Sequence, residues 1–233
     1  MPEQRAKSVV LFIVEGTTEE TALGGIFAKL FQNDRVKLDV VHGDITTKAN
    51  GVDPRETVRK FVINELQRDR GYRWTDISRI VQICDTDGAF IPEDAVVEGS
   101  QDERLVYEES RIVTDNVRGV RDRNRRKSAA MWKLSTAGHL TYKRHEVPFD
   151  VFYFSRNMEH ALHGEDGDLT DRQKVVLANL FRRRYIDNLE GLKEYLSEPV
   201  IAIAGTYVET WAHLREGTVS LQRGSNLHLL FRG

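Results

Sequence analysis

A single cysteine, Cys84, in 233 residues excludes an intramolecular disulfide and any zinc site built from paired thiolates. Long apolar runs are missing too. The longest, Val9 to Val14, is far short of the roughly 20 residues needed to cross a bilayer. Residues 1–7 are polar and lead straight into that run, so no secretory signal is expected and the chain reads as cytoplasmic. Nor does charge of one sign dominate. Thirty-four basic against 36 acidic residues leave a formal charge of −2. That balance excludes chemistry carried by a global positive charge, as in histones, but leaves room for a local basic patch. Internal repeats, low-complexity segments, a Walker motif and a Gly-x-Gly-x-x-Gly loop are also absent. The remainder, 40% hydrophobic and 30% charged, is the composition of an ordinary globular protein.

What is present follows an α/β order. Residues 8–14 form a continuous β-branched and apolar run, the pattern of a strand buried on both faces of a parallel sheet. The run ends at Glu15-Gly16, and Thr17 and Glu20 then have the spacing of a capping box. Ala22, Leu23, Ile26, Phe27, Leu30 and Phe31 give the helix one apolar face. A second short strand is expected at 37–41. Asp53 as N-cap, Pro54 and Glu56 open a second helix that stops before Gly71. Residues 79–84 read as a third strand, ending abruptly at Asp85-Thr86-Asp87-Gly88, and 149–154 as a fourth. The order predicts an α/β fold with a Rossmann-like parallel sheet of about four strands, flanked by helices.

Between 92 and 148 that regularity breaks. Glu93, Asp94, Glu98, Asp102, Glu103, Glu108 and Glu109 form an acidic half. Arg111, Arg118, Arg121, Arg123, Arg125, Arg126, Lys127 and Lys133 form a basic half, opposed only by Asp115 and Asp122. Beyond 163 the pattern is helical. Thr170 and Gln173 can box one helix, whose last turn carries Arg182, Arg183 and Arg184, where the dipole favours cations. Another helix is expected from about 198 to 216. The organisation read from this is a single domain, 1–233, with a core (8–91 and 149–162), a charged insertion (92–148) and a helical extension (163–233).

The carboxylates are the informative residues. Ligands of open α/β sheets bind at the carboxyl ends of the parallel strands. Glu15 ends the first strand; Asp85 and Asp87 end the third. Glu19, one turn into the first helix, can point back towards them. Two unit charges about 4 Å apart repel by roughly 4 kcal/mol at an effective dielectric near 20. Such a cluster therefore either keeps protons or takes a hard divalent ion, Mg2+ or Mn2+. The plain alternative is that these acids are helix caps and exposed turn residues. His42 lies near the same edge, while His160 and His163 are three apart without a third ligand at a fixed spacing.

Glu15-Gly16-Thr-Thr-Glu19 after one strand and Asp85-Thr-Asp87-Gly88 after another resemble a Toprim domain, the metal-binding module of topoisomerases, primases, ribosomal-RNA maturase nucleases and OLD-family nucleases. The Glu-Gly-x-x-Glu form and the tail Gly224-Ser225-Asn226 resemble the RloB-like and OLD-family branch, whose RloB-like members are small partners of ATPases in bacterial defence loci. The resemblance implies that Asp85 and Asp87 hold the metal, that Glu15 transfers protons or adds a ligand, and that Glu19 is a second catalytic acid. Asn157-Met158-Glu159-His160 matches only loosely the family's acidic motif after the fourth strand, and makes Glu159 an additional candidate. Metal-dependent phosphodiester cleavage follows, with nucleic acid as substrate and an ATPase as partner.

A positive surface is needed for that substrate. Arg118, Arg121, Arg123, Arg125, Arg126 and Lys127 are its candidates, with Trp132 available to stack on a base. The same charges equally suit a solvated helix face. Two other enzyme readings compete: a haloacid-dehalogenase-like phosphatase with Asp85 as nucleophile and Asp87 as acid/base, and a manganese-dependent nucleotide-sugar transferase. A third is a non-catalytic subunit binding nucleic acid or an ATPase.

Overall fold

The computed structural model describes residues 9–31, 35–40, 51–69, 71–99 and 105–231. Its first half runs β1 (Val9–Val14), α1 (Thr17–Leu30), β2 (Arg35–Val40), α2 (Pro54–Arg68) and β3 (Ile77–Asp85). Three short strands follow, β4 (Val96–Glu98), β5 (Val106–Tyr107) and β6 (Ile112–Thr114), and then α3 (Val117–Ser135). The hairpin β7 (His139–Tyr142) and β8 (His145–Phe154) leads into α4 (Met158–His163), α5 (Asp171–Tyr185), α6 (Leu189–Leu196) and α7 (Tyr207–His213).

The main sheet has the order β2-β1-β3-β8-β7. β1 lies parallel to both β2 and β3, β3 lies parallel to β8, and only β7 is antiparallel. Every residue of β1 is buried, as a strand covered on both faces requires. Its side chains alternate between two cores. Val10, Phe12 and Val14 pack with α1, α4, α5 and α6, whereas Val9, Leu11 and Ile13 pack with α2, α3 and α7. Each such burial contributes roughly 1.5–3 kcal/mol. Phe12 stacks on Phe27 of α1 at 4.3 Å between ring centroids, which seats that helix on the sheet.

Beyond Pro148, β8 has no β7 partner, and an open edge there would expose unpaired amides. Other elements cover it. The Tyr207 hydroxyl donates to Val151 O (2.9 Å) and accepts from Val151 N (3.0 Å). Asn226 Oδ1 accepts from Tyr153 N at 3.0 Å, Ser225 Oγ donates to Tyr153 O at 2.7 Å, and Gly224 O accepts from Ser155 N at 2.9 Å. The segment 224–226 is thus a surrogate strand edge.

Several expectations change. Asp53 and Thr170 cap α2 and α5 as the spacing predicts, and Thr170 with Gln173 forms a capping box. Thr17 does not cap α1; Gly16 is its N-cap, without a side-chain hydrogen bond, and Thr17 is already helical. The second strand occupies Arg35–Val40, and Val41 lies outside the described residues. So do His42, Asp102 and Glu103. The described residues of the charged insertion are regular: β4, β6 and β5 form a small second sheet, and the basic half beyond Arg111 lies on the 19-residue helix α3. The β7–β8 turn is Lys143-Arg144 at φ 47° and 71°, the primed geometry that Asn-Gly usually signals, so the hairpin has no sequence marker. The helix expected over 198–216 shrinks to α7, which starts at the Thr206 cap after Gly205 at φ 116°. Among the described residues no helix is long and apolar enough to cross a membrane.

Candidate functional site

Because β1, β3 and β8 are parallel neighbours, their carboxyl ends meet at one edge. Glu15 follows β1, Asp85 is the last residue of β3 and Asp87 lies two further on. Glu19 stands in the first turn of α1, and Glu159 in the first turn of α4, just after β8. Glu19 and Glu159 are both buried, at 6% and 3% exposure. The fold therefore gathers all five acids singled out in the sequence, the loosely matched Glu159 included.

Their electrostatics show the crowding. Burial first, then the charges of Glu19, Glu15 and Asp87, raise the Asp85 carboxyl well above the usual range, with Lys127 opposing. Asp85 as a residue is partly exposed, but its Oδ1 is buried with no hydrogen-bond partner. Glu159 Oε1 is in the same position. Glu19 is raised too, by burial above all and then by Glu159; the Thr18 hydroxyl, which donates to Glu19 Oε2 at 3.2 Å, works the other way.

The counter-charge is Lys127. Its side chain is fully buried, and its ammonium lies 2.6 Å from Asp87 Oδ2 and 4.0 Å from Glu15 Oε2. This corrects the expectation that Lys127 belongs to an outward nucleic-acid face. At 3.6 residues per turn α3 presents its charges on several sides, and Lys127 falls on the side packed against the sheet edge. Arg123 shares that side: its Nη2 donates to the Asp87 carbonyl at 3.0 Å and its Nη1 to the Tyr107 hydroxyl at 3.3 Å. Burial and the Asp87 charge raise the Tyr107 phenol. Arg121 donates to Val96 O at 2.9 Å, and Arg125 pairs with Glu93 (2.8 Å) and Asp122 (3.0 Å). Arg118 and Arg126 are exposed. The six basic residues thus divide among three surroundings instead of forming one patch.

Two non-glycine residues at this edge have left-handed backbones, Asp87 (φ 48°) and Arg156 (φ 58°). They are joined: Asp87 N donates to Arg156 O and Arg156 N to Thr86 Oγ1, both at 2.9 Å. Such conformations cost about 1–3 kcal/mol each and persist only where the surroundings enforce them, commonly at functional sites. Gly88, at φ 64°, completes the turn; a Cβ there would stand 2.5 Å from Leu221 Cδ2. Arg156 also donates to Asp166 Oδ1 at 3.0 Å, and His160 Nε2 is 3.1 Å from the same oxygen. Asp166 thus joins Arg156 to His160.

Sequence reasoning missed Thr86, Tyr107 and Arg156, and assigned Arg123 to a nucleic-acid face rather than to its contacts with Asp87 and Tyr107. Only the left-handed Asp87-Gly88 turn had a readable signal, a glycine after an Asp-x-Asp; the others come from residues distant in the chain. Cys84 is buried in β3, as a strand residue should be. The oxygen donors suit a hard divalent ion, yet among the described residues no three Asp, Glu, His or Cys side chains are grouped closely enough to ligate one ion. Comparison with protein-family models, with characterised proteins and with solved structures finds no match for this chain.

Proposed function

We propose that this chain is a divalent-cation-dependent phosphodiesterase acting on nucleic acid, built on a Toprim-like core of the RloB-like and OLD-family type. The observation that carries the reading is the charge imbalance at the sheet edge. Glu15, Glu19, Asp85, Asp87 and Glu159 are gathered at that edge, the buried ammonium of Lys127 reaches two of them, Asp87 and Glu15, and Asp85 Oδ1 is buried without a partner. All-oxygen donors with excess negative charge match the preference of Mg2+ or Mn2+. Asp85, Asp87 and Glu15 would hold the ion. When bound, such an ion stabilises charge on a phosphate and lowers the pKa of a water. The chain's own residues set the rest. Lys127 and Arg123 hold Asp87 from its carboxylate and its carbonyl. Burial makes Glu19 keep its proton to higher pH than an ordinary glutamate, which suits a proton donor, and Glu15 stands by position at the end of β1 as the candidate acceptor. The ATPase partner and the setting in bacterial defence come from the resemblance alone.

One observation favours a second reading. Lys127 already neutralises part of the cluster, as a non-catalytic binding subunit would allow. End-labelled DNA and RNA incubated with Mg2+, Mn2+ or chelator separate the two, beside Glu15→Gln and Asp85→Asn. The nuclease reading expects metal-dependent cutting that both substitutions abolish. No cutting, together with a melting temperature indifferent to metal in wild type and Asp85→Asn alike, would overturn it for the binding subunit.

A further inference from the structure

The far side of α3 from the acids lines a cleft of about 490 Å3. Its walls are residues 89–93 with Val96, which begin two positions after Asp87, and one face of α3, where Arg121, Asn124, Arg125 and Trp132 recur at helical spacing. Arg215, beyond α7, closes it. Trp132 is only partly buried, whereas Trp74 and Trp211 are 4% and 1% exposed, and the Arg215 guanidinium lies 4.5 Å from the Trp132 ring centroid. Asn124 is 4% exposed; its Oδ1 accepts from Arg123, and its Nδ2 is buried with no partner. Arg121 Nε is likewise without a partner, although its Nη2 donates to Val96 O. Three arginines face one acid on this wall, Glu93, which pairs with Arg125; Asp122 holds the same guanidinium from outside the cleft.

An aromatic platform, unspent donors and surplus positive charge in a bounded cleft match a ligand that is planar, rich in acceptors and anionic. We propose that this cleft is a subsite for one nucleotide unit. Trp132 and Arg215 take the base by stacking, Asn124 and Arg121 donate to its ring acceptors, and Arg125 meets the phosphate. The inference deepens the nucleic-acid reading and rests on it, because the same helix presents Lys127 and Arg123 to the acid cluster. A free mononucleotide and an unpaired residue within a strand share this chemistry.

The test uses the full chain in chelator, so that binding is read apart from cleavage. Tryptophan fluorescence and calorimetry follow adenosine 5′-monophosphate, ribose 5-phosphate, inorganic phosphate, and a short single-stranded oligonucleotide with or without a central abasic position. We expect base-bearing ligands to bind wild type and Asp85→Asn equally, and Trp132→Leu and Arg121→Gln roughly tenfold or more weakly, the scale of one base–aromatic stack. Trp132→Phe keeps most of the affinity and covers the case in which Trp132→Leu fails to fold. Binding of the mononucleotide assigns the site to free nucleotides; binding of only the intact oligonucleotide assigns it to a strand. Equal affinity in wild type, Trp132→Leu and Arg121→Gln, equal affinity for abasic and intact strands, or no binding of any base-bearing ligand would overturn the proposal. An Asp85→Asn protein that binds but does not cut separates the subsite from the catalytic reading.

Discussion

Replacing Lys127 by methionine keeps the aliphatic stem and removes only the charge. At an effective dielectric near 20, an ammonium 4.0 Å from Glu15 gains about 4 kcal/mol, and the 2.6 Å contact to Asp87 gains more. Desolvating the ammonium costs several kcal/mol against that gain. Breaking a buried pair by deleting one member costs about 3–5 kcal/mol, because the other charge is left behind. The Asp87 side chain keeps 34% exposure, so water screens part of its loss. Lys127→Met should therefore unfold about 2–4 kcal/mol more easily than wild type in chelator. Urea titration at pH 7.5, followed by circular dichroism, measures this. Added Mg2+ or Mn2+ should then restore more to the variant than to wild type, since an ion bound only by the folded state stabilises by about 2.7 kcal/mol at a hundredfold excess over Kd. A variant within 0.5 kcal/mol of wild type in chelator, roughly the scatter of ordinary surface substitutions, would refute the idea that Lys127 is the internal counter-charge of this cluster.

Three further outcomes are expected. Thr86 is fully buried and its hydroxyl joins the ends of β3 and β8, so Thr86→Val should cost about 1–3 kcal/mol in urea titration, with Thr86→Ser recovering most of it. Asn226→Ala leaves the Tyr153 amide buried without its acceptor and should cost a similar 1–3 kcal/mol, read as a lower melting temperature. His163 sits edge-on to Phe181 at 6.0 Å with its Nε2 buried and unpartnered, and burial holds its pKa below the ordinary 6.5. The unfolded chain therefore binds this proton first: stability is complete above 6.5 and falls as pH drops through the lowered folded value. His163→Leu should flatten that fall by up to about 1 kcal/mol between pH 6.5 and 5.5, and an unchanged slope in urea titrations across that range would refute the assignment.

The apolar run Val9–Val14, the Asp53-Pro54 start and the Thr170–Gln173 box were legible because each depends on neighbours within one turn or one strand. Local pattern also put Glu15, Asp85 and Asp87 at strand ends. That those ends are adjacent followed only from the strand order, a matter of packing between residues 60 or more apart in the chain. The basic stretch 117–135 shows the limit most clearly. Its composition suggested one positive patch, but helical geometry and the docking of α3 sent Lys127 into the acids, Arg121 and Arg125 to the cleft, and Arg118 and Arg126 to solvent. The left-handed backbone of Arg156 and the 224–226 edge cover were equally unreadable, because both are set by hydrogen bonds to distant strands. Residue type and spacing determined which groups could do chemistry here; tertiary packing decided which of them meet, because burial and charge pairing act through space.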